Sequence, residues 1–510
     1  MYARLMSKPV STTPQNDYDL ATSEGTSRTK FRLQLVIENN SGHEEVHEIA
    51  HIEREAVEME TLGLTLAEGK LILKKIQEGV VREQIHDALA RRRHCPDCGK
   101  ARRSKGHHDI TIRTLFGNLE LQSPRLEHCG CQPHAENTFS PLQTVLPEHI
   151  SPEMLYLEVK WSSLLPYEVS CDLLQEVLPV NEKLSAVTLR NHLFEVAERM
   201  EKELGEERLS LIEGGEQDGE QLPIPDGPPT VGLDGGFVRA RHERGCFEVI
   251  AGKSVLEFKR NDPEAERSKK CFGFVQTFDE KPRRRIFELL KSQGMAMNQQ
   301  VTFLSDGGDD VRQVQQYLNP EAEYWLDWFH ITMRITVMKQ MAKGLAKESA
   351  ASVDIEGEPA ARPKGKSMEE EIQSLKWNLW HGNVERALER LEDLQWDLEL
   401  VAGKTENGTK LLKQLRELDG YIQNNREFIP NYGERYRNRE RISTAFVEST
   451  VNQLVSKRMV KKQQMAWTER GAHLLLQVRT HVLNGELDET FRRWYPKFRP
   501  PIPVILKAAA

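Results

Sequence analysis

The stretch "VGLDGGFVRAR", Val231–Arg241, sets the reading of this chain. It is an apolar, strand-like run with a carboxylate, Asp234, in its middle and Gly235 and Gly236 directly after. Desolvating an unpaired carboxylate is expensive, so a buried strand rarely keeps one without a partner. The glycine pair leaves room for a ligand or a second backbone to come close. "VTFLSDGGDDVR", Val301–Arg312, repeats the design: an apolar run, then Asp306, then two glycines. Both could be plain turns, since Asp-Gly is a common turn dipeptide, and Asp309 and Asp310 suit the cap of a following helix.

The flanking pattern favours a sheet. "CFEVIAGKSVLEF" (246–258) and "KCFGFVQTF" (270–278) continue the strands. An amphipathic stretch follows at 281–294, then the strand ending in Asp306, then a short strand in "EYWLDWFH" (323–330). Three strands in series followed by strand–helix alternation predict a mixed α/β sheet. Asp234 and Asp306 would then lie at strand ends where open α/β sheets bind ligands, and two such carboxylates can share Mg²⁺. A third acid on a nearby helix would complete a two-metal site, and Glu448 is the candidate.

At 510 residues the chain is too long for one core. The expected organisation is a polar, disordered tail (1–30) and a mainly helical region (31–92). A cysteine-bearing ribbon (93–135) and a helical region (136–212) come next. A Gly/Pro-rich linker (213–229) leads to the first part of the α/β core (230–347), a helical insertion (348–430), the second part of the core (431–495) and a tail (496–510). No apolar run reaches the roughly 20 residues of a membrane helix, and the first residues lack a signal core. Seven cysteines, an odd number, fit a reducing cytoplasm better than a disulfide framework.

Four of those cysteines are paired in sequence. "CPDCGK" supplies Cys95 and Cys98, and "HCGC" supplies Cys129 and Cys131, with a predicted hairpin between. This is how a structural Cys₄ zinc site is built, although the tight C-x-C spacing lets His128 or His134 replace one thiolate.

The formal net charge of −8 hides basic patches, which in an acidic whole suggest contact with a polyanion. Arg91–Lys105 holds seven Lys and Arg against one acid, and Glu434–Lys462 holds eight against three. In the second patch Lys457, Arg458, Lys461 and Lys462 follow Glu448 on a Gly- and Pro-free stretch read as one helix. Val447, Val451, Leu454 and Val455 give that helix an apolar stripe. The like-charge i,i+4 pairs Lys457/Lys461 and Arg458/Lys462 cost about 0.2–0.5 kcal/mol each, a repulsion that a phosphate backbone would remove. Residues 166–177 and a second helix starting at Ser185 resemble a helix-turn-helix, with Thr188, Arg190 and Asn191 placed to reach bases or phosphates.

The series "LDGGFV", "LSDGGDD", "WLDWFHI" and "FVESTVNQLVSKRMVKKQQMAWTERGAH" resembles the transposases of bacterial insertion sequences with a DDE catalytic core. It is most similar to the Kra-type group allied to the ISL and Mutator-like families, over about residues 225–485. The resemblance implies an RNase H-like core broken by a helical insertion. The 142 positions between Asp306 and Glu448 suit that layout. It also implies Asp234, Asp306 and Glu448 as the catalytic carboxylates, holding two Mg²⁺ or Mn²⁺ ions. Asp327 and His330 match a D-x-x-H signature, with His330 orienting a phosphate or serving as a core histidine. Trp467 is either a core aromatic or a base-stacking residue.

The function implied is binding of the element's DNA ends, metal-dependent cleavage and strand transfer. A homodimer or larger assembly would act on DNA in the bacterial cytoplasm, at the nucleoid. The alternatives are a DNA-binding regulatory protein and a structure-specific nuclease on the same core.

Overall fold

The computed structural model describes residues 28–38, 44–55, 59–131, 137–180, 184–206, 229–242, 245–255, 269–294, 300–308, 322–353, 366–399, 405–460 and 465–498. They belong to two compact units, Met1–His192 with Asp488–Ala510, and Leu193–Leu487. Among the described residues no helix is long and apolar enough to cross a membrane. Lys461, Lys462, His134, Asp309 and Asp310 lie outside the described residues.

The first unit opens with an antiparallel hairpin, β1 (Thr29–Glu38) and β2 (Glu44–Arg54), packed on helix α1 (Leu66–Arg92) through Ile49, Ala50, Ile52 and Ile72. Residues 31–92 were expected to be mainly helical, and their first third is strand instead. The cause is the two-residue alternation of Phe31, Leu33, Leu35 and Ile37, which turns Leu33 and Leu35 towards the helix. A second sheet pairs β3 (Ser104–Thr114), β4 (Gly117–Glu127) and β5 (Thr138–Phe139), its turn closed by Gly117 at φ +119°. Helices α2 (Pro141–Val145), α3 (Pro152–Leu164) and α4 (Tyr167–Val177) follow, and α5 (Ala186–Leu204) runs on into the second unit.

The second unit is built on a five-stranded mixed sheet. Strands β6 (Thr230–Arg239), β7 (Cys246–Val255) and β8 (Lys270–Val275) form an antiparallel meander. Strand β9 (Thr302–Ser305) pairs parallel to β6, and β10 (Glu323–Leu326) parallel to β9, giving the order β10-β9-β6-β7-β8. One face buries Val231, Leu233, Phe272, Phe274 and Phe303 with Ile286 and Leu290 of helix α6 (Pro282–Ser292).

A long helix, α7 (Trp328–Val353), leaves β10 and packs with α8 (Met368–Trp380), α9 (Val384–Glu399) and α10 (Glu406–Asn424) around their own leucine-rich core. The helical insertion was expected at 348–430; the bundle begins earlier, at Trp328, because α7 runs unbroken from β10 and buries Ile331, Ile335 and Met338 in the same core. The chain returns through α11 (Tyr432–Arg437) to α12 (Ala445–Val451), which continues as a π-helical segment, Asn452–Val460. Helix α13 (Glu469–Leu483) closes the unit.

The stretch after Glu448 is therefore not one helix. It stops being helical before Trp467, which forms an isolated bridge with Ala240 beyond the end of β6. Trp467 donates its N–H to the Arg239 carbonyl (2.9 Å) and accepts from the Arg241 N–H (2.9 Å). Satisfying the backbone groups beyond β6 is the competing demand that breaks a sequence free of Gly and Pro.

Candidate active site

Successive side chains on a strand point to opposite faces, so Gly232, Asp234 and Gly236 share one face of β6. On that face lies α12. A Cβ at Gly232 would collide with Val447 and Phe446, and one at Gly236 would sit 3.3 Å from a methyl of Val451. The two glycines thus let α12 and its π-helical continuation lie close along β6, with Asp234 between them and Glu448 next to Val447. Burial of Val447, Leu454 and Val455 fixes this docking.

Asp306 reaches the same region through register. Parallel pairing matches Gly232 with Leu304, so Asp234 and Asp306 each stand two residues beyond a matched pair on adjacent strands. Burial, with Asp306 adding its negative charge, raises the Asp234 carboxyl above its usual range, while His330 pulls it back. Glu448 is exposed. The three carboxylates do not all lie within 4.8 Å of one another. Their oxygen-only donor set is of the kind a hard divalent cation takes.

Asp327 ties these parts together. It is fully buried, and its N–H bonds the Ser305 carbonyl (2.8 Å), immediately before Asp306. Its carboxylate accepts from the Phe329 N–H (2.8 Å), from His330 Nδ1 (2.7 Å), and from both the N–H (3.0 Å) and the hydroxyl of Thr444. Burial works against its charge, but His330 and Thr444 prevail and hold its pKa below the ordinary value. The bond to Asp327 in turn raises the His330 pKa, helped by the charges of Asp306 and Asp234. The sequence motif singled out Asp327 and His330; it carried no sign that Thr444 completes the network.

The basic residues after Glu448 divide. Lys457 is exposed, whereas Arg458, expected to face DNA, is buried, with its guanidinium 5.2 Å from the Trp467 ring centre. Trp467 is itself buried, the core alternative of the two roles considered for it. Arg479 of α13, also buried, donates to the Gln453 (3.2 Å) and Leu454 (3.1 Å) carbonyls of the π-helical segment, and burial lowers its pKa to about 10.

A second cluster in this unit, Glu201, Asp279 and His473, also brings ligand atoms within 4.8 Å. Arg285 already stands among them, donating to Asp279 (2.9 Å), Glu201 (2.8 Å) and Gln477 (2.7 Å). Burial opposes the Glu201 charge, yet His473 and Arg285 hold its pKa near about 2. A guanidinium in this place supplies the charge that a metal would bring.

In the first unit the four cysteines converge. Cys95–Cys131 (3.5 Å), Cys98–Cys129 (3.3 Å) and Cys98–Cys131 (3.5 Å) are close to the ~3.8 Å edges of a tetrahedron with ~2.3 Å Zn–S arms. The Cys98 N–H beside Cys95 brings that thiol down to about 6, favouring the thiolate a metal needs. The set fits Zn²⁺. On α5, the Thr188 N–H bonds Ser185 Oγ (3.2 Å), so Ser185 caps the helix, and Arg190 donates to the exposed Asn191 (3.2 Å).

Neither a protein-family model nor any curated protein matches this chain.

Proposed function

We propose that this protein is a DDE-type transposase, with an RNase H-like core that cuts and joins DNA at the ends of an insertion sequence. The observation that carries the reading is the meeting of three elements at one sheet end. Asp234 and Asp306 each stand two residues beyond a matched pair of adjacent parallel strands, and α12, which carries Glu448, packs over Gly232 and Gly236 of β6 through Val447 and Val451. The strand order β10-β9-β6-β7-β8, with one antiparallel meander and two parallel strands, supports the same core.

Asp234, Asp306 and Glu448 would hold divalent metal, which in such sites activates a water and stabilises the leaving oxygen of an in-line displacement. Asp327 holds His330 by its Nδ1, which favours the protonated imidazole and leaves Nε2 for a phosphate oxygen. The zinc ribbon and the α4–α5 pair are the parts assigned to element ends, and an assembly of at least two copies would hold two ends together. Because Arg458 is inside, Lys457 is the exposed base among the described residues of this segment that is left to face a strand.

The test is incubation of the full chain with its terminal-repeat DNA and Mg²⁺, compared with Asp234→Asn. Cleavage that needs metal and vanishes in the variant supports the reading; cleavage that survives the substitution removes Asp234 from the chemistry. Cleavage without joining of the released 3′ end would point to the nuclease alternative, and binding without cleavage to the regulatory one.

A further inference from the structure

Helix α7 begins beside the acidic centre, and its first turns carry two basic side chains. His330 and Arg334 are four residues apart, so they are neighbours on one helix face. His330 is already engaged by Asp327. Arg334 lies over an aromatic ring, its guanidinium carbon 4.6 Å from the centre of the Tyr421 ring. Among the described residues no carboxylate pairs with Arg334.

Tyr421 belongs to α10, in the helical insertion, and its hydroxyl donates to the Asp306 carbonyl (2.8 Å). Burial keeps that phenol protonated and therefore a donor. Asn425, just past the same helix, sits against Gly307, where a Cβ would come within 2.7 Å of its Oδ1 and where φ is +100°. The insertion thus grips the backbone of Asp306 and Gly307 and places Arg334 at the same spot.

We propose that Arg334 is a phosphate-binding side chain of this site, pre-placed by Tyr421 of the insertion, and that it holds the DNA backbone passing Asp306. The proposal rests on the nucleic-acid reading above. Three carboxylates repel a polyanion, so its approach needs cations that the acids do not consume. A guanidinium stacked on a ring keeps its in-plane N–H groups free, and their geometry matches two phosphate oxygens. Stacking also removes much of the rotamer freedom that phosphate binding would otherwise cost. The other role open to Arg334 is to cover Tyr421 and brace the insertion, which predicts a loss of stability alone.

The experiment measures anisotropy of a fluorescein-labelled duplex of random sequence with the full chain over a KCl series. It compares wild type with Arg334→Ala, Arg334→Gln, Arg334→Lys and Asp234→Asn, with a melting curve for each. Loss of one phosphate contact should reduce the slope of log K against log[salt] by about 0.9 in the Ala and Gln variants. Lys should restore the slope, and Asp234→Asn should keep it. An unchanged slope in a folded Ala or Gln variant overturns the proposal, and so does a fall in melting temperature with no change in binding. The two readings fail separately. If wild-type cleavage is absent but the Arg334 slope change is present, the chemistry is wrong and the phosphate contact stands. If cleavage depends on Asp234 but the slope is unchanged, the chemistry stands and the phosphate contact is wrong.

Discussion

The carboxylate of Asp327 accepts both the backbone N–H and the hydroxyl of Thr444, the residue that starts the helix bearing Glu448. A residue at the end of β10 therefore sets where α12 begins. Its own N–H bonds the residue before Asp306, so two of the candidate carboxylates are located by one buried residue, one through its backbone and one through its side chain.

Asp327→Asn should destabilise the second unit by about 1–3 kcal/mol, since it weakens a buried, fully bonded network. The pH dependence has a definite sign. His330 has a raised folded pKa, so its share of stability is whole below ~6.5 and fades as pH rises through the folded value. Asp327 has a lowered one, so its share is present above ~3.9 and lost as pH falls. The gap in denaturant midpoint between wild type and variant should therefore be widest between these limits and shrink in alkali. A gap that does not vary with pH would disprove the pairing.

Replacing Asp234 by Asn, or Glu448 by Gln, should reduce Mg²⁺-dependent cleavage by more than ~100-fold, because loss of even an outer-sphere partner costs 10–100-fold at metal sites. Both variants should melt like wild type or slightly higher, since Asp234 is held in an environment that disfavours its charge. Gel assays with matched melting curves decide this.

Gly232→Ala should cost ~1–3 kcal/mol through overpacking against Val447 and Phe446, and should lower activity by displacing Glu448. Gly236→Ala, whose Cβ would meet Val451 at 3.3 Å, should be milder. The reverse order, read from chemical denaturation, would mean that α12 does not lie on Gly232.

The purified chain should carry about one equivalent of zinc, lost on treatment with a chelator or in Cys95→Ser. The melting transition of the first unit should fall, while that of the second is unaffected. Atomic absorption with calorimetry reads both, and full zinc content in Cys95→Ser would remove that residue from the ligand set.

Arg285→Ala should destabilise by about 3 kcal/mol or more, because it strands the charges of Glu201 and Asp279. Those groups and His473 would then form an open carboxylate–imidazole set, so Zn²⁺ or Co²⁺ should restore part of the variant's melting temperature and leave wild type unchanged. Failure of metal to stabilise the variant would show that Arg285 does not substitute for a cation.

The two aspartates stand out in the sequence because each follows apolar residues and precedes a Gly pair, a local pattern. Helices of the insertion were legible from their leucine spacing for the same reason. Asp327's role was not, because its partner Thr444 lies 117 positions away and only the folded chain brings them together. The fate of Arg458 was hidden too. Its like-charged sequence neighbours suggested a solvated face, while Trp467, held beyond β6, offers it a ring inside. In the hairpin β1–β2, interleaved polar and charged residues such as Arg32, Gln34 and Glu48 masked the alternation beneath.

The placing of the insertion between Asp306 and Glu448 also has a consequence for biosynthesis. At ribosomal rates of about 5–20 residues per second, Asp306 emerges ~7–28 s before Glu448. During that interval β6 and β9 can pair, but the face over Gly232 and Gly236 has no helix to cover it. Any chain that terminates early therefore bears two carboxylates, a bare glycine-lined groove and no third acid, and on the proposed reading a nascent chain lacks a complete set of metal ligands until the insertion has been made.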